Sequence, residues 1–254
     1  MTEDVRRAFA FMARADGAGT RTEPFAFGTA TFDEELALRH DSNYLLVEQG
    51  TPSPSELVAE ADRLQGEAGL AHRAIVVPEE QLGSRLAPEF RARAWLVQRQ
   101  VVMVHRREPD RSADTASVDE VDEQALRPGR TRLTLTYPWG SEELARVLLD
   151  AKPRIANRVR ARFFAWLEGG EPVSWTDLYS ADRVAQIEDV ATLPEHRGRG
   201  LATAVVLRAL EEARAEGNEF VFLVANDEDW PKQIYAKLGF DEAGRYFKFV
   251  RAGA

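Results

Sequence analysis

The chain has 254 residues, a formal charge of −9, 44% apolar and 30% charged side chains, and no cysteine. This profile excludes a disordered polymer, and the missing cysteine excludes disulfides, thiolate metal sites and cysteine nucleophiles. No apolar run reaches the roughly 18 residues of a membrane span, the acidic start Met1-Thr-Glu-Asp lacks a signal core, and the negative balance argues against nucleic acid as a partner. A cytoplasmic protein with neither a membrane nor a nucleic-acid partner is therefore the default expectation.

In the first half, Ser53-Pro-Ser-Glu56 combines a cap, a helix-compatible proline and a reciprocal acid. Leu57, Val58, Ala61, Leu64 and Ala68 follow at helical spacing up to Gly69, which stops the helix. Ala74–Pro78 and Trp95–Val104 read as strands, the second rich in β-branched residues. The polar, proline-bearing stretch Arg107–Ser117 reads as a linker, dividing the chain into residues 1–108 and 115–254.

The second half opens with a strand near Val118–Val121 and a helix that Ser141 begins and Leu144, Val147 and Leu148 carry. Phe163–Leu167 and Pro172–Tyr179, joined through Glu168-Gly-Gly-Glu171, predict a hairpin. Val184–Thr192 predicts a third strand. It leads into Leu193-Pro-Glu-His-Arg-Gly-Arg-Gly200, and a helix from Leu201 buries Val205, Val206, Ala209, Leu210 and Ala213 before Gly217. The apolar run Phe220–Ala225 fits a strand covered on both faces. A short helix closed by Gly239 and a last strand near Tyr246–Val250 complete the chain.

Two glycines at the mouth of a helix let successive N–H groups converge on an anion, and the helix adds its unpaired amides and positive dipole end. Arg197 and Arg199 add formal charge. A dinucleotide fingerprint is excluded, because five residues separate strand from glycine and Thr203 stands where a third glycine belongs. His40, His72, His105 and His196 form no i, i+4 ligand pair, so no metal is expected.

Arg197-Gly-Arg-Gly-Leu-Ala202 resembles the Arg/Gln-x-x-Gly-x-Gly/Ala signature of the GNAT superfamily of acyl-CoA-dependent N-acyltransferases. Ile234-Tyr-Ala-Lys-Leu-Gly-Phe240 is similar to that superfamily's closing motif. The resemblance covers roughly residues 115–254. It implies a mixed α/β fold with a mostly antiparallel sheet and flanking helices, and the first half resembles a diverged, non-catalytic second copy without the glycine loop. It further implies acetyl-CoA as cosubstrate, its pyrophosphate held at Arg197, Gly198, Arg199, Gly200, Leu201, Ala202 and Thr203. Its pantetheine would run beside Val190, Ala191 and Thr192, with Asn226 as a further contact. Pro231 departs from the alanine the family often has four residues before the tyrosine, and the acidic turn Asn226-Asp-Glu-Asp-Trp-Pro231 bears on the Asn226 contact. Trp230 reads either as a cover for the cofactor or acceptor or as a buried helix cap.

The resemblance makes Tyr235 the general acid for the departing thiolate. Gln186, Glu188, Val190 and Thr192 share a face by two-residue alternation, and Glu188 is the candidate base; the other reading is a solvated or salt-bridged strand residue. Asp189 is expected on the opposite face. The function implied is acetyl transfer to a primary amine of a small molecule or peptide, by direct attack, in a monomer or homodimer. The alternative is a non-catalytic acyl-CoA sensor or interaction module. Tyr137–Gly140 to Arg158 and Trp175–Tyr179 are the expected acceptor lining.

Overall fold

A computed structural model describes residues 1–16 and 21–252, and their contacts divide into two compact units. The first comprises Met1–Val102, Ala225–Asp229 and the chain from Ala243 onward; the second comprises Met103–Val224 and Trp230–Glu242. Set beside the division into 1–108 and 115–254, the contacts differ at the end of the chain, which packs with the first unit.

The stretch read as a linker is pinned within the second unit. The Arg106 N–H donates to the Gly239 carbonyl at 2.9 Å and the Asp110 N–H to the Lys237 carbonyl at 2.8 Å. A Cβ on Gly239 would lie 2.0 Å from the Arg107 carbonyl oxygen, so close approach and a φ of +87° both demand glycine there.

The first unit contains α1 (Glu3–Asp16), β1 (Arg21–Phe25), β2 (Gly28–Phe32), β3 (Tyr44–Val47), α2 (Pro54–Glu67), β4 (Arg73–Val77), α3 (Glu80–Ala92) and β5 (Leu96–His105). Its strands lie in the order β1-β2-β3-β4-β11-β5, where β11 is Phe240–Arg251. β3 and β4 are parallel, Leu45 opposite Ile75, and β11 runs antiparallel to β4, Phe249 opposite Ile75. Phe90 of α3 stacks on Phe249 at 4.3 Å and meets Trp95 edge-on at 5.0 Å. Gly83 lets α3 lie against the Phe247 ring, which an added Cβ would strike at 2.2 Å.

The second unit contains β6 (Val118–Val121), α4 (Glu123–Leu135), α5 (Glu142–Ala156), β7 (Arg160–Glu168), β8 (Glu171–Ala181), β9 (Val184–Thr192), α6 (Leu201–Ala215), β10 (Phe220–Asn226) and α7 (Pro231–Lys237). Its strands lie in the order β6-β7-β8-β9-β10. β7 and β8 form the expected hairpin, with Gly169 and Gly170 both left-handed as a two-residue turn requires. α6 buries Val205, Val206, Ala209, Leu210 and Ala213 and packs against β8 and β9. Each unit contains a parallel strand pair, β3–β4 and β9–β10, linked by a crossover helix and flanked by antiparallel strands. This is the mixed α/β class expected from the sequence.

Candidate active site

β9 and β10 pair in parallel through Val184, Ala185 and Gln186, and the ladder ends there although β9 runs on to Thr192. Towards β8 the register steps from Asp177 opposite Glu188 to Trp175 opposite Ala191, leaving Asp189 and Val190 together across from Thr176. This is a β-bulge, which bends a strand and re-aims the residues beyond it. Asp189 has φ +52°, in the left-handed region. The Thr176 hydroxyl ties the start of the bulge by donating to the Glu188 carbonyl at 2.9 Å.

The bulge corrects the alternation expected along β9. Gln186 and Glu188 do share a face, since Gln186 Nε2 donates to Glu188 Oε2 at 2.7 Å. Beyond them the phase shifts. Ala191, opposite Trp175, now shares the Glu188 face, whereas Thr192 stands opposite Ser174 and meets its hydroxyl at 2.9 Å on the other. Simple alternation would point Asp189 away from Glu188. It instead joins Lys152 at 3.1 Å and Arg130 at 3.1 Å, and both cations also hold Asp177, directly across from Glu188.

From Thr192 the chain enters a short turn and then α6. Gly198 and Gly200 have φ +76° and +81°, with no atom within 4 Å of where a Cβ would stand. These glycines are required by conformation rather than by crowding. Gly200 is the N-cap of α6, which has no side-chain cap and no acid in its first turn. The cap side chain therefore offers its first amides no acceptor, as suits an anion site. The two arginines differ. Arg197 Nε donates to the Thr192 carbonyl at 3.2 Å, while Arg199 is paired with Glu168 at 2.5 Å and lies 3.2 Å from His196 Nδ1. A hydrogen bond and the charge of Glu168 raise the Arg199 pKa.

Tyr235 stands half-buried on α7, within the same unit as this loop. Asn226 belongs by its contacts to the first unit, and its Oδ1 accepts from the Glu228 N–H at 3.0 Å in a local turn. Trp230, at the N-cap of α7, is exposed. The buried-cap reading of this residue is thereby corrected. Of the expected acceptor lining, Trp175 and Tyr179 are buried, with α4 approaching Trp175 so closely at Gly129 that a Cβ would lie 3.1 Å from the ring. Tyr137 and Trp139 are exposed and stack at 4.6 Å.

Sequence reasoning missed the charged cluster under the bulge. Asp177 is fully buried, Arg130 nearly so, and Lys152 is 13% exposed along its side chain. Lys152 Nζ donates to Asp177 at 2.7 Å and to the Tyr179 hydroxyl at 3.3 Å, and that hydroxyl donates to Asp177 at 2.6 Å. Burial opposes the charge of Lys152, but Asp177 and Asp189 outweigh it and raise its pKa. Burial likewise opposes ionisation of Asp189, and Lys152 and Arg130 outweigh it and lower its pKa. Burial and the neighbouring Asp177 push the Tyr179 phenol well up. The signal was a carboxylate inside an apolar strand, on the alternation of Trp175 and Tyr179, which needs cations from elsewhere.

Comparison with solved structures finds this overall fold in several proteins. Over 91% of this chain and 93% of the other, the structure resembles a functionally unknown conserved protein from Staphylococcus epidermidis, with TM-score 0.68 and 15% identity. It resembles a GCN5-related N-acetyltransferase from Kribbella flavida over 100% and 97% of the two chains, with TM-score 0.63 and 17% identity. A tandem GNAT protein from the clavulanic acid biosynthesis pathway matches with TM-score 0.51 and 16% identity over 79% and 70%. These likenesses show the fold.

The sequence matches cover part of the chain. Residues 125–240 match the model of the acetyltransferase (GNAT) family. An uncharacterised N-acetyltransferase of Methanocaldococcus jannaschii is 32% identical over 88 residues, which are 32% of this chain and 39% of that protein. The chain thus spans about two fifths of the curated relative it matches. Among the described residues no helix is long and apolar enough to cross a membrane.

Proposed function

We propose that the second unit transfers an acetyl group from acetyl-CoA to a primary amine of a small molecule or peptide. The observation that carries this reading is the path of β9: its ladder with β10 ends at Gln186, and the strand delivers the chain to an uncapped helix N-terminus. An extended pantetheine arm suits the β9 residues past that point, and a pyrophosphate suits Gly198–Thr203. Arg197 adds positive charge beside them, and Arg199 contributes once it leaves Glu168.

When bound, acetyl-CoA supplies an activated thioester. The Val190 N–H, in the bulge, is the donor for charge developing on the carbonyl oxygen. The amine must be neutral to attack; Glu188, directly or through water, takes its proton. Asp189 is poorly suited to that task, because a carboxyl held below its ordinary pKa is a weak base. As the C–N bond forms and the C–S bond breaks, the Tyr235 hydroxyl protonates the sulfur. The absence of cysteine favours direct attack over a covalent enzyme intermediate. The first unit serves a non-catalytic role.

Purified protein with acetyl-CoA and an amine panel, read by released thiol, tests this directly. The expected result is acceptor-dependent thiol release. Tight acetyl-CoA binding with no release for any amine would favour the sensor reading instead.

A further inference from the structure

We propose that the buried Asp177–Lys152–Arg130–Asp189 network is a positioning device that holds the β9 bulge open and so fixes the direction of the Val190 N–H. This rests on the acyltransferase reading only for its functional consequence. The geometric claim stands on the strand itself.

A regular antiparallel ladder continuing from Asp177 opposite Glu188 would set Thr176 opposite Asp189 and Trp175 opposite Val190. The observed register skips this arrangement and sets Trp175 opposite Ala191. A one-residue slip would turn Asp189 to the far face and redirect every amide after it. Asp189 also keeps φ +52°, which L residues rarely adopt. Something must hold it there. Lys152 from α5 and Arg130 from α4 each contact both Asp189 and Asp177, so the Asp189 side chain is tied from two helices to a carboxylate on the neighbouring strand. Tyr179 completes the shell with its hydrogen bond to Asp177. Both arrangements of β9 would satisfy much of the backbone, and only the bulged one brings Asp189 to its cations. Lys152, Arg130, Asp177 and Asp189 are thus positioning residues, acting through the strand rather than on the substrate.

The test combines register with rate. Cross-strand nuclear Overhauser contacts in isotope-labelled full-length protein distinguish Trp175–Ala191 pairing from Trp175–Val190 pairing, and CoA binding by calorimetry verifies that each variant is folded. Asp189→Ala and Lys152→Met should show Trp175–Val190 contacts. Both should lower kcat for acetyl transfer by about tenfold to a hundredfold, with KM for acetyl-CoA little changed. Adding Asp189→Gly to Lys152→Met should recover the bulge and most of the rate, because glycine accepts the left-handed conformation without an anchor.

Retention of the bulge and of the rate in both single variants would overturn the proposal. Failure of glycine to rescue would also overturn it. Wild-type protein that binds no acetyl-CoA would sink the acyltransferase reading, while the register measurement would still judge the network.

Discussion

The two units use the same local plan at their parallel strand pairs and finish it in opposite ways. In the first, β3 leads through a turn to α2 and back to β4; in the second, β9 leads through a turn to α6 and back to β10. At α2 the helix mouth is sealed. Ser53 Oγ accepts from the Glu56 N–H, and Glu56 Oε2 accepts from the Ser53 N–H at 2.8 Å and from its hydroxyl at 2.7 Å. Pro54 removes a further donor. At α6 the mouth is open, with glycine as the cap and no acid in the first turn. The helix dipole is met by the protein's own carboxylate in one unit and by no first-turn acid in the other. The next helix repeats the contrast, since α3 contains no tyrosine and α7 carries Tyr235.

The largest effect is expected at α7. Tyr235→Phe should lower turnover by about a hundredfold or more, as loss of a general acid does, with acetyl-CoA affinity nearly unchanged. Unaltered turnover with a good acceptor would remove Tyr235 from the mechanism and with it one leg of the contrast between α3 and α7.

Gly200→Val comes next. A β-branched residue at φ +81° is strained by about 1–2 kcal/mol, and its side chain would stand at the open mouth. Calorimetry should show acetyl-CoA affinity reduced by about tenfold or more, with CoA reduced in parallel because both carry the pyrophosphate. Equal binding by the variant would mean that the anion does not sit at α6. Stoichiometry sharpens the comparison further: titration of the intact chain should give one acetyl-CoA site, and two would show that α2 is not closed in solution.

Much of this contrast was legible in the sequence, and the reasons differ by element. The capping box of α2 and the glycines ahead of α6 are local signals, and β9 was bounded correctly at Val184 and Thr192 because both ends are marked by turns. The phase of β9 was not legible, since period-two alternation assumes a regular ladder and a bulge leaves no composition signature. The charged cluster was hidden because its members come from α4, α5, β8 and β9, and no spacing rule joins them. Pro128 and Gly129 obscured α4, although Gly129 is there to let the helix approach Trp175. The placement of the last strand beside β4 was also illegible, being a property of topology rather than of residues 243–251 themselves.

The smallest effect concerns α2. Ser53→Ala should cost about 1 kcal/mol of stability, the usual value of a lost helix cap, seen as a fall of about 2–4 °C in the melting temperature. Glu56→Gln should act in the same direction and change the pH dependence. The Ser53 donors hold the Glu56 carboxyl below its ordinary pKa, so its contribution is present above the unfolded-state pKa and fades as pH falls through the lowered folded value. The variant should lose that acid-side slope. Neither substitution should alter acetyl-CoA affinity or turnover, because the proposed anion site lies at α6. If opening α2 instead created a second acetyl-CoA site, the first unit would retain a cofactor cleft that its capping box had kept shut, and its divergence would rest on this one seal.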